Sequence, residues 1–491
     1  MKFNNPFIYE INTRVWLREL RQKYGQNLTL SQIPDTEWQQ IKNLGFHYVW
    51  LMGIWEPSPY ALKMAIECAF LYDEYTQALP DLKKEDIIGS PYAVQNYEPN
   101  ADLSDWQDLW QTRIKLHNNN LGLILDLVPN HTACDHPWTQ ENPDFYIQVS
   151  KENHDQKPEN SFLVEKNGYK VYLAHGKDPN FPSWCDTAQL NYFNHKLREA
   201  MIKTIIKIAK YCDGLRCDMA MLVLNDVHGN IWQKELTNWE KPKEEFWQQA
   251  IGKTKAKFAN FIFMAESYWN KEVDLQNLGF DYTYDKNLYD LINQNNNSAL
   301  QNYLKTRVNT GKWINFIENH DEQRAVTYFG KEKSQIGATL ISTYAGAKLF
   351  YENQIQGYTK KLPVQLGRKI TEEVNLDLQT FYQKLFTITQ NQFFQNAKMQ
   401  TLEIAQIDKF PMPVAYLWQT DEEAKIIVLN FENNLVKGNL KIQTLDFKND
   451  KVAFFEEIKQ KNYEYKRNDL KKYGLYVELP AFQSQIFSVK I

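Results

Sequence analysis

Cysteine is scarce in this chain, and the few residues there are do not suggest pairing. They are Cys68, Cys134, Cys185, Cys212 and Cys217, odd in number and irregular in spacing. Such a set argues against a disulfide framework and for reduced thiols in a cytoplasmic protein. Basic blocks are absent as well. Lys and Arg (56) nearly balance Asp and Glu (60), for a net charge of −4, so nucleic acid is not an expected partner. No apolar run approaches the ~20 residues of a membrane span. The opening MKFNNPFIYE has no apolar core of a signal peptide, and none is expected. What remains is 491 residues rich in Tyr (28), Phe (27) and Trp (14), enough for a large barrel plus an accessory domain. Aromatics build cores, but exposed ones also stack on apolar sugar faces, and composition does not separate the two.

One stretch stands out: Gly214-Leu215-Arg216-Cys217-Asp218-Met219-Ala220, at the end of an apolar run. On a strand, residues two apart share a face, so Arg216 and Asp218 point the same way. A carboxylate beside a fixed guanidinium stays ionised well below neutral pH, which suits a nucleophile better than a proton donor. Taken alone, the pair reads equally as a structural ion pair. Three more strand-like stretches end in acids: Asp126 in LILDLVPNH, Glu266 in FIFMAESYW and Asp321 in INFIENHDEQR.

Strand and helix patterns alternate about eight times between Phe7 and Tyr351. Strands are expected over Pro6–Trp16, Phe46–Ile54, Leu123–Val128, the Gly214 stretch, Phe261–Ala265, Phe280–Tyr284, Trp313–Ile317 and Leu349–Tyr351. Helices are expected over 37–44, 105–119, 196–210, 246–258 and 371–395, with Asn194 capping the third. Continuous apolar strands joined by helices indicate a parallel sheet, and eight such units indicate an α/β fold of the (β/α)8 TIM-barrel type. The polar, Asn- and Pro-rich region after strand three reads as an inserted subdomain. From about Thr401 short alternating strands (VAYLW, KIIVLNF, LKIQTL, LYVEL, QIFSVKI) indicate a small antiparallel β domain. The expected division is 1–131 and 190–396 for the barrel, 132–189 for the insertion and 397–491 for the terminal domain.

In a TIM barrel the strand C-termini line the site. Retaining glycoside hydrolysis needs two carboxylates roughly 5–5.5 Å apart, and tips of adjacent strands, ~4.8 Å apart, can supply that. Asp218 then attacks the anomeric carbon, Glu266, at the end of an apolar run, serves as acid/base, and Asp321 holds sugar hydroxyls. His131 and His320 are neutral donors for the same pocket. Each signal has a bland reading: Asn130-His131 as a surface turn, Asn319-His320-Asp321 as a loop cap, Glu266 in a rim salt bridge.

With these residues in this order, the chain resembles the α-amylase family, family 13 of the glycoside hydrolases. Its four short motifs match DLVPNH (Asp126 to His131), GLRCDMA, AES (Ala265 to Ser267) and ENHD (Glu318 to Asp321). The resemblance implies Asp218 as nucleophile, Glu266 as acid/base and Asp321 as third carboxylate, with Arg216, His131 and His320 contacting the nucleophile or the sugar. It also implies an α-glucan or small α-glucoside substrate. Departures accompany the match. Where many amylases carry Lys-His after the nucleophile, this chain has Met221 and Leu222, implying a less polar acceptor side. Where an aspartate often binds calcium, the stretch DTAQLN puts Gln189; Asn130 is the remaining ligand candidate and is also expected among the substrate-binding residues, and no metal or cofactor is expected. In GSPYAVQNY, Tyr92 is either a sugar-stacking ring or a buried tyrosine. PVQLGR (Pro363 to Arg368) reads either as a phosphate- or sugar-binding loop or as a surface turn.

The favoured expectation is a retaining α-glycoside hydrolase. The same carboxylates would serve a transglycosylase, maltosyltransferase or phosphorylase, since only the acceptor in the second step differs. A non-catalytic carbohydrate-binding or assembly protein on the same fold is a rival of another class. A metal-dependent hydrolase built on His131 and His320 would leave the Arg216–Asp218 pair unexplained.

Overall fold

The computed structural model describes residues 3–166, 168–307, 311–390 and 392–491. Met1 and Lys2 of the expected first barrel segment, and Asn391 of the expected 371–395 helix, lie outside the described residues.

Eight strands close into a barrel in which chain neighbours are sheet neighbours and the first strand meets the eighth. They are Phe7–Asn12, Tyr48–Met52, Gly122–Leu127, Gly214–Cys217, Ile262–Ala265, Tyr282–Tyr284, Trp313–Asn315 and Ala347–Tyr351. We refer to them as barrel strands one to eight. The second, third, fourth, fifth and eighth are buried along their whole length. That explains why they read as continuous apolar runs rather than alternating ones. Close approach is enforced at glycines: a Cβ on Gly122 would lie 2.4 Å from the Tyr48 ring, and one on Gly214 would lie 2.8 Å from the Ile262 carbonyl oxygen. Asp213 fixes the start of strand four. Its carboxylate accepts from the Leu123 N–H (2.8 Å), from Arg113 Nη2 (2.8 Å) and from the His117 ring (2.8 Å).

The first strand is shorter than its β-branched and aromatic residues suggest. At Thr13 the chain turns into the helix Thr13–Tyr24, whose Thr13, Leu17 and Leu20 are buried at helical spacing. Helices Trp106–Asn118 and His195–Ile208 stand where the periodicity puts them, and Asn194 accepts from the Lys196 N–H at the start of the latter. The last of the expected helices runs only Leu376–Thr389, started by the Asn375 side chain.

The chain divides into two compact units. The first comprises Tyr9–Tyr284 and Lys361–Thr371, and the second Phe3–Ile8, Asp285–Lys360 and Glu372–Ile491. Within the first, the segment after strand three carries Ser161–Lys166 and Tyr169–Ala174, paired antiparallel, and His131–Ala133 pairs with Thr187–Gln189. Within the second, a six-stranded and a three-stranded antiparallel sheet share a core that includes Ile426, Val428, Phe454 and Leu475. LKIQTL contributes to a strand only through Leu440. The hairpin Lys451–Glu456 with Lys461–Lys466 has too many charges to stand out as a strand pair.

Candidate active site

Arg216 is the centre of the first unit's strand tips. The parallel register sets it opposite Asp126 on strand three and Met264 on strand five, and pairs Cys217 with Ala265. One residue further, Asp218 and Glu266 leave their strands side by side. The Asp218 N–H donates to Leu127 O (2.8 Å) and the Glu266 N–H to Cys217 O (3.0 Å).

The guanidinium serves both acids. Nη1 donates to Asp218 Oδ1 at 2.6 Å, and Nη2 donates to Glu266 Oε2 at 2.8 Å. Asp126 Oδ1 lies 3.9 Å from Nη1. Arg216 is 0% exposed, Asp218 7% and Glu266 4%, so these charges meet out of water, where their interaction is strong. Burial pulls the Arg216 pKa down most strongly, but Glu266, Tyr284, Tyr92 and Asp218 together outweigh it and hold the pKa well above the ordinary value. The rings of Trp50, Tyr92 and Tyr284 lie 5.2, 5.3 and 5.7 Å from its Cζ. Asp126 is engaged elsewhere: it accepts from Trp50 Nε1 (3.1 Å) and the Gly53 N–H (2.9 Å), tying strand three to the end of strand two.

The residue after Asp218 is strained. Met219 sits in the left-handed region (φ 41°, ψ 44°), which side-chain-bearing residues seldom occupy. That conformation goes with a Met219 N–H donating to Glu266 Oε2 at 2.8 Å. Oε2 thus takes two donors, while Oε1 accepts from the Tyr268 hydroxyl at 2.8 Å. Neither Met219 nor Tyr268 carried a sequence signal; both contacts depend on how two neighbouring strands end.

His131 is buried, and its ring lies 5.1 Å from that of Trp184. Burial lowers its pKa to about 4, opposed by a hydrogen bond with the Tyr92 backbone, so the imidazole is neutral near pH 7. Tyr92 is half-buried with its ring toward Arg216. Its loop is anchored by Arg14, which donates to the carbonyls of Ile88 (3.3 Å), Gly89 (3.0 Å) and Val364 (2.7 Å).

In the second unit, Asp321 and His320 follow strand seven. His320 is buried with Nε2 2.9 Å from Asp321 Oδ2, and the Asp321 side chain is 44% exposed. The Asn319 side chain accepts from the N–H groups of Asp321 and Glu322 (2.9 Å each), so the loop-cap reading of this triplet also holds. Glu318 is taken up by Arg324 Nη1 (2.7 Å) and the Ala325 N–H (2.6 Å).

Two expectations change. Met221 and Leu222, read as a less polar acceptor side, are 0% and 1% exposed in the short turn Ala220–Val223. Their apolar character is core packing. Arg368 of PVQLGR pairs with Asp86 (2.7 Å) and Asp81 (3.0 Å), and these partners leave it no free fork for a phosphate.

The calcium that the family resemblance implies does not fit the residues present. The Asn130 and Gln189 side chains bond each other, Gln189 Nε2 to Asn130 Oδ1 at 3.0 Å, and neither supplies a carboxylate, the donor calcium favours. Among the described residues no cluster of His, Cys, Asp and Glu is arranged to hold a metal ion. Turnover is expected to be unchanged after dialysis against EDTA; an activity lost to the chelator and restored by calcium would contradict this.

Acid stability follows from the histidines. Burial lowers the pKa of His131 to about 4 and those of His136 and His228 to about 3. Between those values and the unfolded ~6.5, the unfolded chain binds the extra protons, so stability falls as pH falls through that window. At pH 5 the loss amounts to about 1–2 kcal/mol per histidine. Denaturant midpoints at pH 7.5 and pH 5 measure it; equal midpoints would show that these rings are not buried as neutral groups.

Acids held at the strand tips of a closed parallel barrel lie where barrel enzymes carry out their chemistry. The sequence comparisons narrow the class. Residues 36–460 match the family model described as "Alpha amylase, catalytic domain", and the chain belongs to the α-amylase family. It is 24% identical over 354 residues to alpha-amylase MalA of Haloarcula japonica, covering 68% of this chain and 46% of that protein. It is 27% identical over 297 residues to alpha-amylase 3 of Dictyoglomus thermophilum, covering 55% of this chain and 54% of that one. The chain thus spans about half the length of these relatives. The fold is similar to that of the maltogenic alpha-amylase AmyB from Thermotoga neapolitana, with TM-score 0.69, 20% identity and 100% of both chains covered. Among the described residues no helix is long and apolar enough to cross a membrane.

Proposed function

We propose that this chain is a retaining glycosidase acting on α-glucans or short α-glucosides. The observation that supports this reading is the single guanidinium shared by Asp218 and Glu266, which holds both carboxylates at the tips of two adjacent strands. In the first step an Asp218 oxygen bonds to the anomeric carbon as the bond to the leaving oxygen breaks. Glu266 gives that oxygen its proton. With Oε2 held by two donors, the proton rides on Oε1, beside the Tyr268 hydroxyl. In the second step Glu266 takes a proton from water, and the water oxygen displaces Asp218. Neutral His131 and the Tyr92 ring form further wall, and the family resemblance implies that Asp321 and His320 bind sugar hydroxyls. The names of the relatives, alpha-amylases, support the substrate class. A reducing, cytoplasmic setting belongs to the same reading and rests on five free thiols.

Proton NMR of maltooligosaccharides with the purified protein tests it. Initial release of α-anomeric sugar supports the retaining hydrolase. Redistribution to longer and shorter oligomers, or a sugar phosphate when phosphate is present, would assign a sugar or phosphate acceptor instead. Release of the β-anomer would exclude Asp218 as nucleophile.

A further inference from the structure

A cavity of about 400 Å³ lies between the inserted segment and the chain that follows the nucleophile strand. Its lining is polar and carries three lysines, Lys157, Lys177 and Lys234, against one acid, Glu235, beside Asn160, Ser183 and Trp232. Lys177 is half-buried and lies with Nζ 4.3 Å from the centre of the Trp232 ring, which is itself buried. Among the described residues no carboxylate lies within ion-pair distance of that ammonium; the acid acting on it from further away is Glu235. Lys157 and Lys234 add like charge from the same walls, and burial lowers the Lys177 pKa. The Ser183 hydroxyl donates to Asn160 Oδ1 at 2.9 Å, which leaves the Asn160 amide nitrogen as a further donor.

Three ammonium groups face one carboxylate around this hollow, so positive charge is in excess there, and the central ammonium, half-buried and with no carboxylate within ion-pair distance, is stabilised by an anion that completes the site. A neutral sugar is a poorer match, because the Trp232 face, the obvious stacking surface, is already covered by Lys177. We infer that this cavity binds a phosphate group, free or carried by a small sugar, with Lys177 as its central ligand and Lys157 and Lys234 as outer ones. The site lies apart from Arg368, whose guanidinium is already paired. It also stands independently of the glycosidase reading.

Isothermal titration calorimetry at low ionic strength tests the inference, with inorganic phosphate, glucose 1-phosphate and maltose titrated separately into the full chain. Saturable binding of phosphate or glucose 1-phosphate is expected, and Lys177→Gln should weaken it about tenfold or more. Lys234→Gln, at an exposed position, should weaken it by a smaller factor, and this carries the test should Lys177→Gln not fold. Tighter binding of glucose 1-phosphate than of phosphate would identify a sugar phosphate as the ligand; equal binding would identify free phosphate. No saturable heat with either anion, undiminished binding in the folded variants, or displacement of phosphate by maltose would overturn the assignment.

Discussion

Asp218→Asn is expected to lower kcat by about four to six orders of magnitude, the range seen when a covalent catalyst loses its nucleophile. The change keeps an oxygen for Arg216 Nη1 to bond and removes the charge and nucleophilicity the first step needs. Arg216 retains Glu266 at 2.8 Å and Asp126 at 3.9 Å, so the variant should fold. Turnover of maltotriose, measured beside a thermal melt, separates the two effects. A folded variant with more than about a tenth of wild-type activity would show that Asp218 is a structural partner of Arg216 and nothing more.

The second large effect is expected at Arg216. A lysine there keeps the charge but not the fork: one ammonium cannot reach Asp218 and Glu266 in the geometry that two guanidinium nitrogens provide. Arg216→Met goes further and leaves two buried carboxylates without their cation. Breaking a buried pair in this way costs about 3–5 kcal/mol. For Arg216→Lys, a displacement of either carboxylate on the scale of 1 Å is enough to lower activity about a hundredfold or more. Denaturant titration of both variants, with kcat for the lysine variant, measures these losses. Near-native stability in the methionine variant would mean that the guanidinium is not what compensates the two acids.

Part of this site was legible because it is local or periodic. Arg216 and Asp218 share a face through the two-residue period of a strand, and the apolar runs ending at Asp218 and Glu266 are barrel strands four and five. Adjacent parallel strands then place the two acids at the same height through the Cys217–Ala265 pairing. The eight-strand barrel followed from the same runs. What was not legible depends on tertiary packing and on how the chain turns at the strand ends. Met221 and Leu222 stand where the family resemblance puts the acceptor side, yet after a left-handed Met219 both are buried. Arg368 reads as a free cation until Asp81 and Asp86, nearly three hundred residues earlier, are seen to hold it. Tyr268 and Arg14 had no motif to mark them: one bonds an acid two residues away across a strand end, and the other supports the Tyr92 loop through backbone carbonyls. The helix starting at Thr13 was hidden because β-branched and aromatic residues (Thr13, Val15, Trp16) favour strands until tertiary packing overrides them.

The central claim is the covalent role of Asp218, and trapping it is the most direct test. The protein is incubated with an α-glucosyl fluoride carrying a second fluorine that slows hydrolysis of the intermediate, then digested and analysed by mass spectrometry. One glycosyl unit per chain, attached at Asp218 and absent in Asp218→Asn, is the expected result. A glycosyl group on another residue, or consumption of the substrate to the β-anomer without any adduct, would contradict it.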